Sequence, residues 1–223
     1  MNFTTINMQL KSIKIGLSAL ALAMLTLTAN AQQQEEHKNA NVRLGQKAVL
    51  DGDFKSAASH LLKALPAEAN DPNVLYLLGY SQFQSGEYKE AAASFGKVIT
   101  LDAKNSNAYY YKAKANNSLA LNKDLKLSGS QREALLESAI ADYSQAISLD
   151  AKDAKFYQNR AVAYRDLAIR KGTEGEAGYN KVAASAAYNK AIADYEKVLT
   201  FDANRKDIQT EVKKAKVYRD LLK

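Results

Sequence analysis

The chain has 223 residues, a formal net charge of +7 and no cysteine. Disulfide bonds, cysteine-bound metals and a lipid anchor on cysteine are therefore excluded, and the fold must bury its apolar surface by packing alone. The modest positive charge favours acidic surfaces weakly. It is not the dense basic footprint of a nucleic-acid-binding protein, so we expect no nucleic-acid partner.

The N-terminal segment has the pattern of a targeting signal. Residues 1–16 contain two lysines and no acid, Leu17–Thr28 is an uncharged apolar run, and Ala29 and Ala31 follow in an A-x-A pattern. A basic head, a short apolar stretch and a small-residue exit predict a secretory signal peptide over residues 1–31. The apolar run is too short to span a bilayer comfortably, although an uncleaved N-terminal anchor stays the alternative.

The mature chain would begin at Gln32. Residues 32–40 contain almost no apolar side chain, which predicts a short flexible leader. We expect an exported protein, periplasmic rather than fully secreted, with no stable membrane span once the signal is removed. No residue distinguishes the periplasm from the exterior.

From residue 41 onward, the chain shows helical patterning and no alternating, strand-like runs. Five pairs of matching residue types lie 34 positions apart: Gly45 and Gly79, Gly52 and Gly86, Phe54 and Tyr88, Ala57 and Ala91, and Leu61 and Phe95. A period of this length indicates a stack of repeated units, each of which buries its apolar face against its neighbours.

The segment Leu75–Ala103, "LYLLGYSQFQSGEYKEAAASFGKVITLDA", resembles the tetratricopeptide repeat (TPR) family. The resemblance implies an all-α, right-handed solenoid in which every repeat is an antiparallel pair of helices, here called A and B. Gly86 suits a left-handed helix exit in the turn between them. Gly79, Ala91 and Ala113 are small where helices would cross closely.

The repeats are unevenly spaced. Asp102 and Asp150, which end similar segments, are 48 residues apart, whereas Asp150 and Asp202 are 52 apart. If the period is 34, the third and fourth repeats carry 14 and 18 extra residues (48 − 34 and 52 − 34). The alignment of the A helices places these insertions between A and B within a repeat.

The inserted residues have partly helical character, which predicts two elongated hairpins. Ser130 and Glu133 form a capping-box pattern, so the third B helix is expected to begin at Gln131. The fourth B helix is expected over Tyr179–Leu199, after a flexible loop at Lys171–Gly178. The third and fourth A helices are expected to run to about Leu125 and Arg170. Ordinary helices with disordered loops are the alternative.

The predicted organisation is four TPR-like repeats at about 41–70, 72–104, 106–152 and 154–203, followed by a C-terminal capping helix at 204–223. One face of that last helix is apolar: Ile208, Val212, Ala215 and Leu222. A terminal repeat needs its apolar end covered, so a cap is the favoured interpretation over contact with a membrane surface.

The sequence offers little catalytic chemistry. His37 and His60 are far apart, and no nucleophile, base and orienting group can be assembled. Asp142 and Asp194 occupy the same position of successive repeats, which points to solvent or a structural contact. We expect no enzyme activity, no cofactor and no metal.

The TPR resemblance implies a binding groove lined by the A helices, where a peptide or partner helix lies. Carried over position by position, the candidate groove residues are Asn73, Tyr76, Tyr80 and Phe83, then Asn107, Tyr110, Lys114 and Asn117, then Lys155, Gln158, Val162 and Arg165. Packing between helices is an equal alternative for Tyr76, Tyr80 and Tyr110. It is the preferred interpretation for Tyr109, Tyr143, Tyr157 and Tyr195.

Some TPR proteins hold a chaperone's C-terminal carboxylate with a fixed set of lysine, asparagine and arginine. Here Val42, Gln46 and Leu77 replace the required residues, so chaperone-tail binding is not implied. The sequence predicts a non-catalytic interaction module, an adaptor or assembly factor of the cell envelope with a protein or peptide partner. The alternative is a self-associating structural component, a homo-oligomer that uses the elongated hairpins.

Overall fold

The computed structural model describes residues 37–176 and 178–222, so the predicted signal peptide and most of the leader lie outside the described residues. The unit that begins at Lys38 contains nine α-helices and no strand in its described part. The helices are α1 (Ala40–Leu50), α2 (Phe54–Glu68), α3 (Pro72–Gln84), α4 (Tyr88–Leu101), α5 (Ser106–Leu121), α6 (Gly129–Leu149), α7 (Ala154–Gly172), α8 (Lys181–Phe201) and α9 (Lys206–Asp220).

The helices form four successive antiparallel pairs, each packed against the next, with α9 packed against α8. This arrangement confirms the predicted all-α solenoid. The A helices α1, α3, α5 and α7 also contact each other from repeat to repeat, whereas no two B helices come into comparable contact in the described part of the chain. The solenoid therefore curves toward the A helices. The side of the A helices that faces away from the B helices forms its concave face.

The turns between helices follow from local sequence chemistry. Gly52 and Gly86 have φ values of 77° and 86°, so both adopt the left-handed conformation predicted for Gly86. The side chain of Asp71 accepts hydrogen bonds from the backbone N–H groups of Asn73 and Val74, which caps α3.

The repeated glycines lie where helix A meets helix B. A Cβ atom on Gly79 would lie 3.1 Å from the Phe95 ring, and one on Gly45 would lie only 2.6 Å from Cγ of Leu61. Ala91 and Ala113 are fully buried. Small side chains at these positions are thus a requirement of close helix packing, as predicted.

We expect Gly45→Ala to lower the free energy of unfolding by roughly 1–3 kcal/mol, because the new methyl group collides with Leu61 near its branch point. Urea unfolding of the purified chain would measure the change. Gly96→Ala is the matched control, since Gly96 is also helical but has open space around it. It should be neutral or stabilise by up to about 1 kcal/mol. Equal effects of the two changes would contradict the close crossing.

The third and fourth B helices are longer than the earlier ones: α6 and α8 each have 21 residues, compared with 15 in α2 and 14 in α4. Five predicted boundaries differ from the structure. α5 ends at Leu121, before the expected Leu125, and α6 begins at Gly129 instead of Gln131. α7 ends at Gly172 instead of about Arg170, and α8 spans Lys181–Phe201 instead of Tyr179–Leu199.

The capping box of α6 is formed by Ser128 and Gln131, rather than by Ser130 and Glu133. Ser128 accepts a hydrogen bond from the Gln131 backbone, and the Gln131 side chain accepts one from the Ser128 backbone. The preceding loop is fixed by Arg132, which donates to the carbonyls of Ala120, Asn122 and Leu125 at 2.7–2.8 Å. The insertion is therefore held against its own helix.

Helix α9 ends the stack. Ile208, Val212 and Ala215 are buried against α8, which confirms the predicted capping face. Lys213 and Lys216, by contrast, are exposed, so α9 offers a polar side where a further helix would otherwise pack. Among the described helices, none combines the length and the apolar character that crossing a membrane requires.

Candidate functional site

A continuous group of aromatic rings occupies the A-helix side of the second and third repeats. We call it the aromatic stripe, and it comprises Tyr76, Tyr80 and Phe83 of α3 with Tyr110 and Tyr111 of α5. The ring of Tyr111 is its centre, with centroids of the other four rings 5.0–6.1 Å away. Most of these contacts are edge-to-face, the favourable arrangement for aromatic pairs.

The stripe contains both buried and accessible rings. Tyr80 and Tyr110 are only 4% and 6% exposed, so these two predicted groove residues mainly pack helices together. Tyr76, Phe83 and Tyr111 are partly exposed, so part of each ring surface is accessible to solvent. Burial raises the pKa of Tyr111 to about 12 and also raises those of Tyr76 and Tyr110, so the hydroxyls stay neutral.

Lys114 lies on top of the stripe. Its Nζ is 4.9 Å from the ring centroid of Phe83, 5.5 Å from that of Tyr110 and 5.7 Å from that of Tyr111. Nζ of Lys155 approaches the Tyr110 ring to 5.5 Å. Burial, reinforced by the charge of Lys155, lowers the pKa of Lys114. The result is a half-buried ammonium group supported by three rings.

The A-helix side of the fourth repeat is different, because its charges neutralise one another. Arg165 pairs with Asp166 at 2.9 Å and with Glu211 of α9 at 3.2 Å. Asn117 lies 3.5 Å from Asp166, and Gln158 accepts a hydrogen bond from Arg205. The remaining predicted groove residues are Asn73 and Asn107, which are exposed at the start of α3 and α5, and Val162, which is partly buried.

Two ion pairs join helix A to helix B within a repeat. Lys112 contacts Asp142 at 2.9 Å, and Arg160 contacts Asp194 through two bonds of 2.7 and 2.8 Å. The cations are 48 residues apart and the acids 52, so both pairs occupy the same position of successive repeats. Asp142 and Asp194 therefore make structural contacts, one of the two predicted alternatives.

Sequence reasoning missed Tyr111, the ring with the most neighbours. The position-by-position transfer chose Tyr110 instead, which packs toward Tyr143 and Phe156. The signal was present in the run Tyr109–Tyr111, since three consecutive helical residues must point in different directions. Of the predicted core tyrosines, Tyr143, Tyr157 and Tyr195 are buried, whereas Tyr109 is partly exposed.

Comparison with known proteins supports the fold. The family model for the anaphase-promoting complex, cyclosome, subunit 3 matches residues 50–124. The C-terminal part of a TPR repeat-containing protein from Cytophaga hutchinsonii superposes with a TM-score of 0.52 and 20% identity, over 87% of this chain and 66% of that chain. This chain has the TPR fold.

Two further TPR-like structures are similar. A crystal structure of MamA gives a TM-score of 0.62 and 22% identity, over 82% of this chain and 84% of that one. The APC/C hetero-tetramer Cut9–Hcn1 gives 0.57 and 16%, over 88% of this chain and 32% of that one. No curated protein matches this chain significantly.

Proposed function

We propose that this TPR chain is a non-catalytic protein-interaction module, an adaptor or assembly factor that binds a peptide or helix across the aromatic stripe. The main observation behind this proposal is the aromatic stripe. Its partly exposed rings lie on the concave face, and large rigid rings supply contact area at a small cost in conformational entropy. The neighbouring fourth repeat already satisfies its charges internally.

The similar proteins support the same proposal at a coarser level. One matching family is named for a subunit of the anaphase-promoting complex, and Cut9–Hcn1 is a hetero-tetramer. Both names describe components of protein assemblies. A fold by itself does not specify a function, so the groove residues must be tested directly.

The test is affinity capture from an envelope extract, with mass spectrometry, using the full chain and two variants. Phe83→Ala removes a partly exposed ring of the stripe, and Leu101→Ala removes an exposed apolar side chain from the B side. We expect the captured partner to be lost with Phe83→Ala and retained with Leu101→Ala, because central aromatic contacts commonly contribute about 2 kcal/mol to binding. The opposite pattern would place the binding surface elsewhere.

We also propose that the chain is exported and acts in the periplasm, on the strength of the N-terminal sequence pattern alone. The prediction is a mature N terminus at Gln32. N-terminal sequencing of the protein purified from the cell envelope would check it. Recovery of chains that keep Met1, in a membrane fraction that resists salt, would favour an N-terminal anchor.

A second candidate function is self-association through the elongated hairpins. An apolar cavity of about 490 Å³ lies where α7, α8 and α9 meet, lined in part by Ile169, Tyr188, Tyr218 and Leu221. Leu221 is 74% exposed, and Val182 at the start of α8 is 80% exposed. If the hairpin of the fourth repeat joins two copies, Val182→Glu should convert a dimer into a monomer in light scattering. A monomeric wild-type chain would contradict this candidate.

A further inference from the structure

Lys114 differs from the other basic side chains of its own helix, α5, and of the next A helix, α7, because it has no acidic partner among the described residues. Six of the seven basic side chains of α5 and α7 lie within ion-pair distance of a carboxylate: Lys112, Lys155, Arg160, Arg165, Arg170 and Lys171. No carboxylate in the described part of the chain comes that close to Lys114. The basic side chains of these two helices are thus normally balanced by an acid, and Lys114, at the stripe, is the exception.

The location of Lys114 makes the imbalance costly. Its ammonium is half-buried over the rings of Phe83, Tyr110 and Tyr111, which compensate only part of the lost hydration. Lys155 is the other cation beside these rings, and it is already paired with Asp153 at 2.8 Å. The local charge of this group is therefore positive.

We propose that Lys114, with Lys155 beside it, binds an aspartate or glutamate side chain of a partner peptide lying along the aromatic stripe. The inference rests on the proposed function and specifies the partner's chemistry. A carboxylate would accept hydrogen bonds from the ammonium, while apolar residues on either side of it pack on Phe83 and Tyr111. Such charge-assisted bonds are roughly twice as strong as neutral ones.

An acidic peptide fits this surface better than a nucleic acid. Phosphate backbones require a row of unpaired basic side chains. The basic side chains of the next A helix, α7, however, are already paired with acids, as Arg160 is with Asp194. Among the described residues, one available cation lies among several rings, which matches a short segment that carries a single acidic residue between apolar ones.

The experiment is a selection of random 12-residue peptides, displayed on phage, against the immobilised full chain. Enriched peptides are then synthesised with amidated and with free C termini, and their affinities are measured by fluorescence anisotropy. Each is compared with a version in which Asp or Glu is replaced by Asn or Gln. The protein variants are Lys114→Met and, as a matched control, Lys197→Met, because Lys197 lies over Tyr157 and Phe201 on a B helix.

We expect the enriched peptides to share an acidic residue at a fixed position, flanked by apolar ones. Neutralising that residue should weaken binding to the wild-type chain by 10-fold or more and should have little effect on binding to Lys114→Met. Lys197→Met should bind as the wild type does. The thermal unfolding midpoint of Lys114→Met should be unchanged or higher, since the change removes a poorly hydrated charge.

Several outcomes would overturn the inference. Enriched peptides without an acidic residue, or an equal loss in wild type and Lys114→Met, would exclude the Lys114 contact. Binding only by peptides with a free C terminus would assign the contact to a terminal carboxylate instead of a side chain. If the enriched peptides in any of these cases bind the Phe83→Ala variant more weakly than the wild-type chain, the proposed function stands without this inference. If no peptide is enriched, or if Phe83→Ala does not weaken peptide binding, both the proposed function and the Lys114 contact are excluded.

Discussion

Tyr80→Ala is expected to lower the free energy of unfolding by roughly 3–5 kcal/mol, the usual cost of removing a buried ring. Tyr80 is 4% exposed, and its ring lies 5.8 Å from that of Phe54 and 5.5 Å from that of Tyr111. The change would leave a cavity bordered by three helices. Urea unfolding, fitted with a common slope for all variants, would measure the loss.

Two companion variants distinguish packing from partner binding. Tyr80→Phe keeps the ring and loses only the hydroxyl that accepts a bond from Gln84, so we expect a change of about 1 kcal/mol or less. Phe83→Ala removes a partly exposed ring and should cost less stability than Tyr80→Ala while weakening partner capture more. If Tyr80→Ala unfolds like the wild type, its ring belongs to the groove and not to the core.

The helix-pair architecture was predictable because the same residue types recur at a fixed spacing in the sequence. Gly45 and Gly79 recur at one period since the same helix crossing recurs, and a crossing admits only small side chains. The start of α6 was less predictable. Ser128 with Gln131 and Ser130 with Glu133 both satisfy the capping-box spacing, and local sequence does not rank them. The structure uses the first pair, in a loop that Arg132 holds through three backbone carbonyls.

The details of the candidate site depend on side-chain direction. The TPR resemblance, carried over position by position, placed Phe83 and Lys114 on one face, and the structure brings them together. The resemblance did not show that Tyr110 turns inward and that Tyr111 occupies the centre of the stripe, because a shift of one residue rotates a helical side chain by about 100°. The pairing of Arg165 with Glu211 links residues 46 apart on α7 and α9, a contact for which no repeat period exists.

The last prediction compares two ion pairs at the same position of successive repeats. Asp194→Asn should lower the free energy of unfolding by about 3 kcal/mol, because it leaves the Arg160 guanidinium without its acid in a largely buried site. The side chains of Arg160 and Asp194 are 19% and 8% exposed, and two bonds join them. The hydrogen bond with Asp194 also raises the pKa of Arg160.

Asp142→Asn, the equivalent change one repeat earlier, should alter stability by only about 1 kcal/mol or less, since Lys112 can extend into solvent.

Burial raises the pKa of Asp142, an effect that the bonds from Lys112 only partly offset. A raised carboxyl pKa means that the charged form is disfavoured in the folded state. Its contribution to stability therefore falls as the pH rises from below the ordinary value of 3.8 through the folded-state pKa. The neutral amide of Asp142→Asn removes this loss, so its unfolding curve should depend less on pH than that of the wild type. Equal destabilisation by the two changes at neutral pH would show that the more buried guanidinium of Arg160 contributes no more than the ammonium of Lys112, which donates to both oxygens of Asp142.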